Sequence, residues 1–127
     1  NEIVEKNNTH HITYLVGDAA ALTKATTGGG IYTGMLSSKI LAESIETGIN
    51  YTTALKPLKR MLWIHKMIRK MLNNFTNENY NELIRMMNQE KIKEILTKYT
   101  REQPAQILPR ILLNEPRFLK FAAKILF

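Results

Sequence analysis

The sequence predicts an α+β chain that is mostly helical, and three patterns along its 127 residues support this class. The apolar, β-branched run Ile12–Val16 is typical of a strand covered on both faces, as in a parallel sheet. A glycine-rich segment, residues 17–30, follows that run. From Ile31 onward, apolar residues recur at three- and four-residue spacing, which indicates helices. We therefore expect a strand that leads into a long helix, followed by a small helical array.

The composition limits what the chain can be. Hydrophobic residues make up 44% of it, enough for one buried core, and no run approaches the roughly 20 apolar residues that span a bilayer. With no cysteine, the sequence excludes disulfides and thiolate metal sites. The chain starts at Asn1 without a signal segment, so we expect a processed, truncated or excised piece of a longer protein.

Charge divides the chain into two regions. Residues 1–49 contain three basic and five acidic residues, whereas residues 50–127 contain 15 basic and six acidic residues. This asymmetry predicts two domains with separate roles and a boundary between residues 49 and 50. A basic second half is compatible with nucleic acid, an anionic membrane surface or an acidic partner.

The long helix is predicted to run from Ile31 to Glu46 and to stop at Gly48. Small residues between its apolar positions should let it lie close to neighbouring backbone. Its predicted apolar sector consists of Met35, Leu36, Ile40, Leu41 and Ile45.

The helical array begins with a basic amphipathic helix, Leu55–Leu72, in which Pro57 is tolerated only within the first turn. Three residues are candidate caps for the next helix: Thr76, Asn77, or Asn79 in a capping box with Glu82. Asn88 is expected to divide that helix from another.

Two prolines predict the starts of further helices, because proline is favoured in the first helical turn. These are Pro104 and Pro116. Pro109 should make the first of these helices short, kinked, or delayed in its start. Trp63 and the six methionines are more typical of helix packing than of a cofactor or lipid contact.

The glycine-rich segment, residues 17–30, joins the predicted strand to the long helix and carries the main functional signal; we call it the glycine-rich joint. Asp18 follows the first glycine, and the triplet Gly28–Gly30 opens the long helix, where unpaired N–H groups and the positive end of the helix dipole lie. These features indicate a ligand-contacting carboxylate beside a helix N-terminus that faces an electron-rich group. An ordinary strand-turn-helix joint with an exposed aspartate fits the spacing equally well. We expect no metal site, because His10 and His11 lack a nearby third ligand.

Residues 17–31 also carry a family resemblance. Gly17-Asp18-Ala19-Ala20, then Lys24, then Thr27-Gly28-Gly29-Gly30-Ile31 resembles the second flavin-contacting motif of p-hydroxybenzoate-hydroxylase-type flavoproteins. The triple-glycine form is similar to the geranylgeranyl reductase group, including archaeal digeranylgeranylglycerophospholipid reductases. The segments 77–99 and 114–116 resemble the C-terminal helical region of those reductases.

The resemblance implies the last strand and helix of a parallel-sheet FAD-binding domain, over residues 1–49, followed by C-terminal helices. It implies that Asp18 contacts the ribityl chain of FAD. Gly28 belongs to the glycine segment that passes the isoalloxazine ring, and Gly29, Gly30 and Ile31 would offer N–H groups to its pyrimidine edge. It also implies a reductase of geranylgeranyl double bonds in membrane lipid biosynthesis, cytoplasmic or peripheral at the membrane, with an isoprenoid lipid as substrate.

The sequence departs from the family pattern at three points. Ala21 stands where the family usually has glycine, and Ala25 where it usually has proline. The dinucleotide fingerprint that binds the ADP half of FAD does not occur in this sequence. We therefore expect a missing N-terminal FAD-binding segment, no catalytic residue within these residues, and no activity of the fragment alone.

Two other functions compete with this interpretation. One is a basic helical module that binds nucleic acid or a protein; nucleic acid is not expected, because aromatic residues are not interleaved with the lysines and arginines. The other is a different flavoprotein of the same superfamily, such as a monooxygenase or an electron-transfer dehydrogenase. The triple glycine and the C-terminal helices favour the reductase over that alternative.

Overall fold

A computed structural model describes residues 6–8, 11–100, 103–122 and 124 of the chain, with side chains from residue 12 onward. This part of the chain is mostly helical, as predicted. Two 3₁₀ segments, Gly17–Ala20 and Pro116–Phe118, accompany the regular elements. The regular elements are β1 (Lys6–Asn8), β2 (His11–Thr13), α1 (Ile31–Thr47), α2 (Tyr51–Ala54), α3 (Lys56–Asn73), α4 (Asn77–Met87), α5 (Glu90–Lys98), α6 (Pro104–Asn114) and α7 (Leu119–Ala122).

The chain forms two compact units, an N-terminal unit of residues 1–62 and a C-terminal unit of residues 63–127. The N-terminal unit extends past residue 49 because side chains of α2 and α3 complete its core. The predicted boundary between residues 49 and 50 divides two regions by their expected roles, and it stays a prediction. Among the described helices, none combines the length and the apolar character needed to cross a membrane.

The predicted strand is shorter than expected. β2 ends at Thr13 and pairs antiparallel with β1, with Lys6 opposite Thr13. Beyond it, the carbonyl of Leu15 accepts a hydrogen bond of 3.1 Å from the Tyr51 hydroxyl, so this part of the predicted strand serves a tertiary contact. No parallel strand pair occurs within the described residues. Origin from a parallel-sheet domain therefore stays a prediction.

Helix α1 has the predicted length. It runs from Ile31 to Thr47 and ends at Gly48, whose φ of 70° is the left-handed conformation that glycine adopts without strain. Its buried face differs from the prediction, since Met35 and Ile45 are 72% and 68% exposed. The face that packs inward is small and polar instead, with Thr33, Ser37 and Ser44 buried and Leu36, Ile40 and Leu41 at its edge.

The core of the N-terminal unit joins segments distant in sequence. Leu22, Tyr51, Leu55 and Leu58 are almost fully buried together. Tyr51 packs edge-on against Tyr14, with ring centroids 5.8 Å apart. Burial raises the pKa of the Tyr51 phenol. This cluster fixes α2 and the start of α3 against the glycine-rich joint.

The start signals of the next two helices work as local chemistry predicts. Pro57 is the second residue of α3, where its missing N–H costs nothing. Thr76 caps α4: its hydroxyl accepts from the Asn79 N–H at 3.4 Å, and the Asn79 side chain accepts from the Thr76 N–H at 3.2 Å. Of the three candidate caps, Thr76 is thus the one used. Asn88 ends α4, as predicted.

Helix α6 departs from the prediction at its internal proline. It begins at Pro104, as expected, but it continues through Pro109 to Asn114. Pro109 has no N–H, so the Ala105 carbonyl, four residues earlier, receives no helical hydrogen bond. Both residues are exposed. That carbonyl can be hydrated, so the helix persists. Ile107 and Ile111 of α6 pack with Ile92 of α5 in the core of the C-terminal unit.

A buried carboxylate links three segments of the C-terminal unit. The two oxygens of Glu115 each accept at 2.7 Å from the Arg117 guanidinium, and Oε2 also accepts from the Gln89 amide at 2.9 Å. Gln89 precedes α5, Glu115 follows α6, and Arg117 lies in the 3₁₀ segment. The hydrogen bonds from Arg117, and then that from Gln89, lower the pKa of Glu115 to about 2.

This network predicts an acid-sensitive unit. Because the folded pKa of Glu115 lies below its ordinary value of 4.5, the stabilisation is complete above pH 4.5 and is lost as the pH falls toward 2. In urea unfolding between pH 5 and pH 2.5, Glu115→Gln should therefore flatten the decline in stability. Glu94→Gln, an exposed glutamate on α5, is the control and should leave the decline unchanged. Parallel declines in the wild type and Glu115→Gln would contradict the network.

Candidate functional site

The glycine-rich joint and helix α1 meet through backbone contact. A Cβ placed on Gly17 would lie 3.2 Å from the Cα of Gly34, tighter than ordinary packing. The N–H of Gly17 donates to the Ser37 hydroxyl at 2.9 Å, and that hydroxyl donates to the Gly34 carbonyl at 2.9 Å. The predicted close approach of α1 to neighbouring backbone therefore occurs at Gly34 and Ser37.

Ala21 turns the chain after the 3₁₀ segment. Its φ of 55° and ψ of 32° are left-handed, and no other non-glycine residue in the described ranges has a positive φ. The turn is closed by hydrogen bonds from the Ala21 N–H to the Asp18 carbonyl and from the Leu22 N–H to the Gly17 carbonyl. This geometry sends Leu22 into the core.

Asp18 lies beside Gly30, the N-cap residue of α1. Its side chain is exposed, and Oδ1 accepts a hydrogen bond of 2.9 Å from the Thr23 hydroxyl. A Cβ placed on Gly30 would overlap this oxygen and lie 3.0 Å from the Asp18 Cγ. Only glycine at position 30 therefore lets the carboxylate rest against the backbone at the start of α1.

The loop before α1 is tied by its own backbone. The Gly28 N–H donates to the Lys24 carbonyl at 2.8 Å, and the Lys24 N–H donates to the Gly29 carbonyl at 3.3 Å. The Gly29 N–H donates to the Thr27 hydroxyl at 3.3 Å. Gly28 has a φ of 68°, which suits glycine. The N–H groups of Gly28 and Gly29 are thus engaged within the loop.

Donors remain at the N-terminus of α1. N–H groups in a first helical turn have no carbonyl ahead of them, and Gly30, the N-cap residue, supplies no side-chain cap. Ile31 is 85% exposed, so this end of the helix faces outward. The Lys24 ammonium lies 5.6 Å from the ring centroid of Tyr32, in the first turn. The positive end of the helix dipole therefore lies at this exposed end of α1, beside the Asp18 carboxylate.

Of the five predicted site residues, the structure brings Asp18 and Gly30 together, and Ile31 follows Gly30 as the first residue of α1. Gly29 adjoins them, while Gly28 lies in the loop, where a Cβ placed on it would meet no atom within 4 Å. Sequence reasoning missed Thr23, which orients Asp18, and the burial of Lys24, whose Cε would lie 3.3 Å from a Cβ on Gly29. A hydroxyl five residues after Asp18 is no recognised motif, and lysine is ordinarily exposed.

Metal chemistry finds no support in the part of the chain that the structure describes. No group of three or more potential ligands among histidine, cysteine, aspartate and glutamate occurs there. His10 and the side chain of His11 lie outside the described residues.

The left-handed Ala21 predicts a stabilising substitution. A left-handed conformation costs an L-residue roughly 1–2 kcal/mol, and glycine loses about 0.5–1 kcal/mol through its freer unfolded chain. Ala21→Gly should therefore raise the free energy of unfolding by about 0.5–1 kcal/mol, measured in urea. Ala19→Gly, two residues earlier and within the 3₁₀ segment, has no positive φ; it is the control and should lower the free energy of unfolding. Equal losses in both variants would contradict the left-handed turn.

Comparison with known proteins leaves this site to be judged from its own geometry. No protein-family model, no curated protein and no solved structure matches the chain.

Proposed function

We propose that this chain is the flavin-ring side of an FAD-dependent oxidoreductase that reduces isoprenoid double bonds in membrane lipid biosynthesis. The observation that carries the proposal is the contact between the Asp18 carboxylate and Gly30 at the N-terminus of α1. A hydrogen-bond acceptor and a set of backbone donors then lie side by side. A flavin needs the same pair, since its ribityl hydroxyls donate and its pyrimidine oxygens accept.

The donor side of the site fits an anionic ring. Reduced flavin carries negative charge at its pyrimidine edge, and a helix N-terminus stabilises a nearby anion by roughly 0.3–2 kcal/mol. The Ile31 N–H and the Lys24 ammonium are the groups of this chain that would contribute. Bound FAD would supply the hydride chemistry, while the protein would orient the ring and favour its reduced state.

The acceptor side also fits. Asp18 is exposed and bound by one neutral donor, Thr23, so ribityl hydroxyls can add to or replace that hydrogen bond. Of the glycine N–H groups, Gly29 already donates to Thr27. We therefore assign the ring contact to Gly30 and Ile31, and the loop-shaping role to Gly28 and Gly29.

The turn at Ala21 is a second support, and it rests on the resemblance. The resemblance places a glycine at this position in the flavoprotein family, and the structure holds Ala21 at a φ of 55°. A backbone that takes the left-handed conformation despite a Cβ is the backbone that a family glycine would adopt. The replacement of glycine by alanine thus keeps the turn and adds strain.

A further protein segment is part of the proposal, because this chain holds only one side of the site. Helix α1 carries a stripe of apolar residues on one face, Ile31, Met35, Ala42 and Ile45, all exposed. Three of them are at least 68% exposed. Such a stripe is typical of a surface that packs against more protein. We propose that the segment binding the ADP half of FAD covers it.

The isoprenoid substrate and a peripheral membrane location rest on the resemblance together with the basic character of residues 50–127. A monooxygenase or electron-transfer dehydrogenase would use the same contact between Asp18 and Gly30. The reaction of the complete enzyme would separate these possibilities: a reductase saturates its substrate, a monooxygenase hydroxylates it, and a dehydrogenase oxidises it.

Binding of flavin fragments tests the proposal on this chain itself. Because the site faces the ring and the ribityl chain, riboflavin should bind as well as FAD, weakly, and ADP should not compete. Ligand-observed NMR with each compound measures this. Asp18→Asn should weaken riboflavin binding roughly tenfold, since a hydrogen bond to a charged group, about 1.5–3 kcal/mol, becomes one to a neutral amide, about 0.5–1.5 kcal/mol.

Two matched pairs of variants separate the site from general damage. Gly30→Ala should displace the Asp18 carboxylate and match the loss in Asp18→Asn. Gly34→Ala, whose Cβ would be 3.7 Å from Gly17, should bind riboflavin normally. Glu46→Gln, an exposed acid on α1, should do the same. Riboflavin binding that is absent from the wild type, or indifferent to Asp18→Asn, would refute the proposed site.

A further inference from the structure

A large apolar cavity lies wholly within the C-terminal unit. Its volume is about 700 Å³, and fifteen side chains from α3, α4, α6, the second 3₁₀ segment and α7 line it. Every one of them is hydrophobic. The volume falls within the roughly 300–1,000 Å³ of small-molecule pockets. The cavity shares no residue with the candidate flavin site.

The cavity opens to solvent through large apolar side chains. Trp63 and Leu119, both in its lining, are 60% and 57% exposed. The expectation that Trp63 fills helix packing is therefore wrong, since most of its side chain is exposed, while Met67 and Met71 line the cavity. Replacement of the water in an open apolar cavity by hydrocarbon is thermodynamically favourable.

The lining selects among possible occupants. An extended peptide would bring backbone N–H and C=O groups that an all-apolar wall cannot satisfy. A helix satisfies its own backbone, but one 5.4 Å turn of a helix about 10 Å wide fills roughly 400 Å³, so fewer than two turns would fit. A flexible hydrocarbon chain meets neither obstacle.

Charge around the mouth selects the headgroup. The C-terminal unit contains twelve basic and six acidic residues. On α3, Lys66 and Lys70 follow Trp63 by three and seven residues, so they lie along the same edge of the helix. Both are exposed, and neither forms an ion pair with a described residue. A headgroup at this edge would meet two lysines.

We propose that the C-terminal unit binds one hydrocarbon chain of a single-chain anionic amphiphile in this cavity, with the charged headgroup beside Trp63, Lys66 and Lys70. This binding goes beyond the proposed flavin chemistry and does not depend on it, because the two sites lie in separate units. Failure of riboflavin binding would leave it intact, and its own failure would leave the flavin site intact.

Trp63 provides the readout, since it is the only tryptophan of the chain. Titration of the full chain with saturated fatty acids of 8 to 18 carbons, below their micellar concentrations, should shift its emission to shorter wavelength. Affinity should rise roughly fourfold per added methylene and then level off once the chain fills the cavity. Methyl esters of the same lengths should bind about fivefold or more weakly, because they lack the charge that the lysines attract.

Cavity-narrowing variants locate the site. The double variant Met67→Phe with Leu112→Phe should lower the chain length at which affinity levels off and weaken binding of the longest acids at least tenfold. Its retained binding of short acids shows that it is folded. Leu113→Phe is the control, because Leu113 follows Leu112 in sequence but is 81% exposed and does not line the cavity. It should bind every acid as the wild type does.

Three results would overturn the proposal. One is an affinity that climbs with chain length without levelling off, which indicates adsorption to an outer surface. Another is equal binding of acids by the double variant and the wild type. The third is an emission shift with anionic phosphatidylglycerol vesicles but none with fatty acids, which would make the Trp63 region a membrane-docking face instead of a chain-binding cavity.

Discussion

The N-terminal unit depends on one close contact between two stretches of backbone, at Gly17 and Gly34. A side chain at Gly17 would push the joint off the helix, because its Cβ would lie 3.2 Å from the Gly34 Cα. Ser37 reinforces the contact by accepting from the Gly17 N–H and donating to the Gly34 carbonyl. Because no large side chain separates them, the backbones of the first 3₁₀ segment and α1 are in contact. The Asp18 side chain can therefore reach Gly30.

The same contact explains why α1 buries small polar residues and exposes large apolar ones. A helix that presents glycine, serine and threonine inward cannot also bury its large residues there, so Met35 and Ile45 face outward. Stability then comes from another place: Leu22, placed by the left-handed Ala21, packs with Tyr51, Leu55 and Leu58. The geometry that aligns the acceptor at Asp18 with the donors of α1 is thus supported by a core on one side and left open on the other.

Local signals were predictable from the sequence, and contacts between distant residues were not. Gly48, Pro57, Asn88 and Pro104 mark helix ends through backbone rules that act within a turn, and the structure agrees with each. The buried face of α1 was mispredicted because a hydrophobic pattern cannot show that residue 37 must bond residue 17. Helix α6 passes through Pro109 because the affected carbonyl lies at an exposed position, which periodicity alone does not reveal. At the candidate site, Asp18 and the glycines stood out, whereas Thr23 and the burial of Lys24 depend on how the loop closes.

The outward stripe of α1 also governs how copies of the chain behave toward one another. Exposed apolar side chains favour self-association, while a net charge of +7 keeps like-charged molecules apart. The repulsion is long-ranged in dilute buffer, where the screening length is about 30 Å at 0.01 M salt, and short-ranged at 1 M, where it is about 3 Å. We therefore expect ionic strength to set the association of the isolated chain, which should stay dispersed at low salt and associate increasingly through α1 as added salt screens the charge.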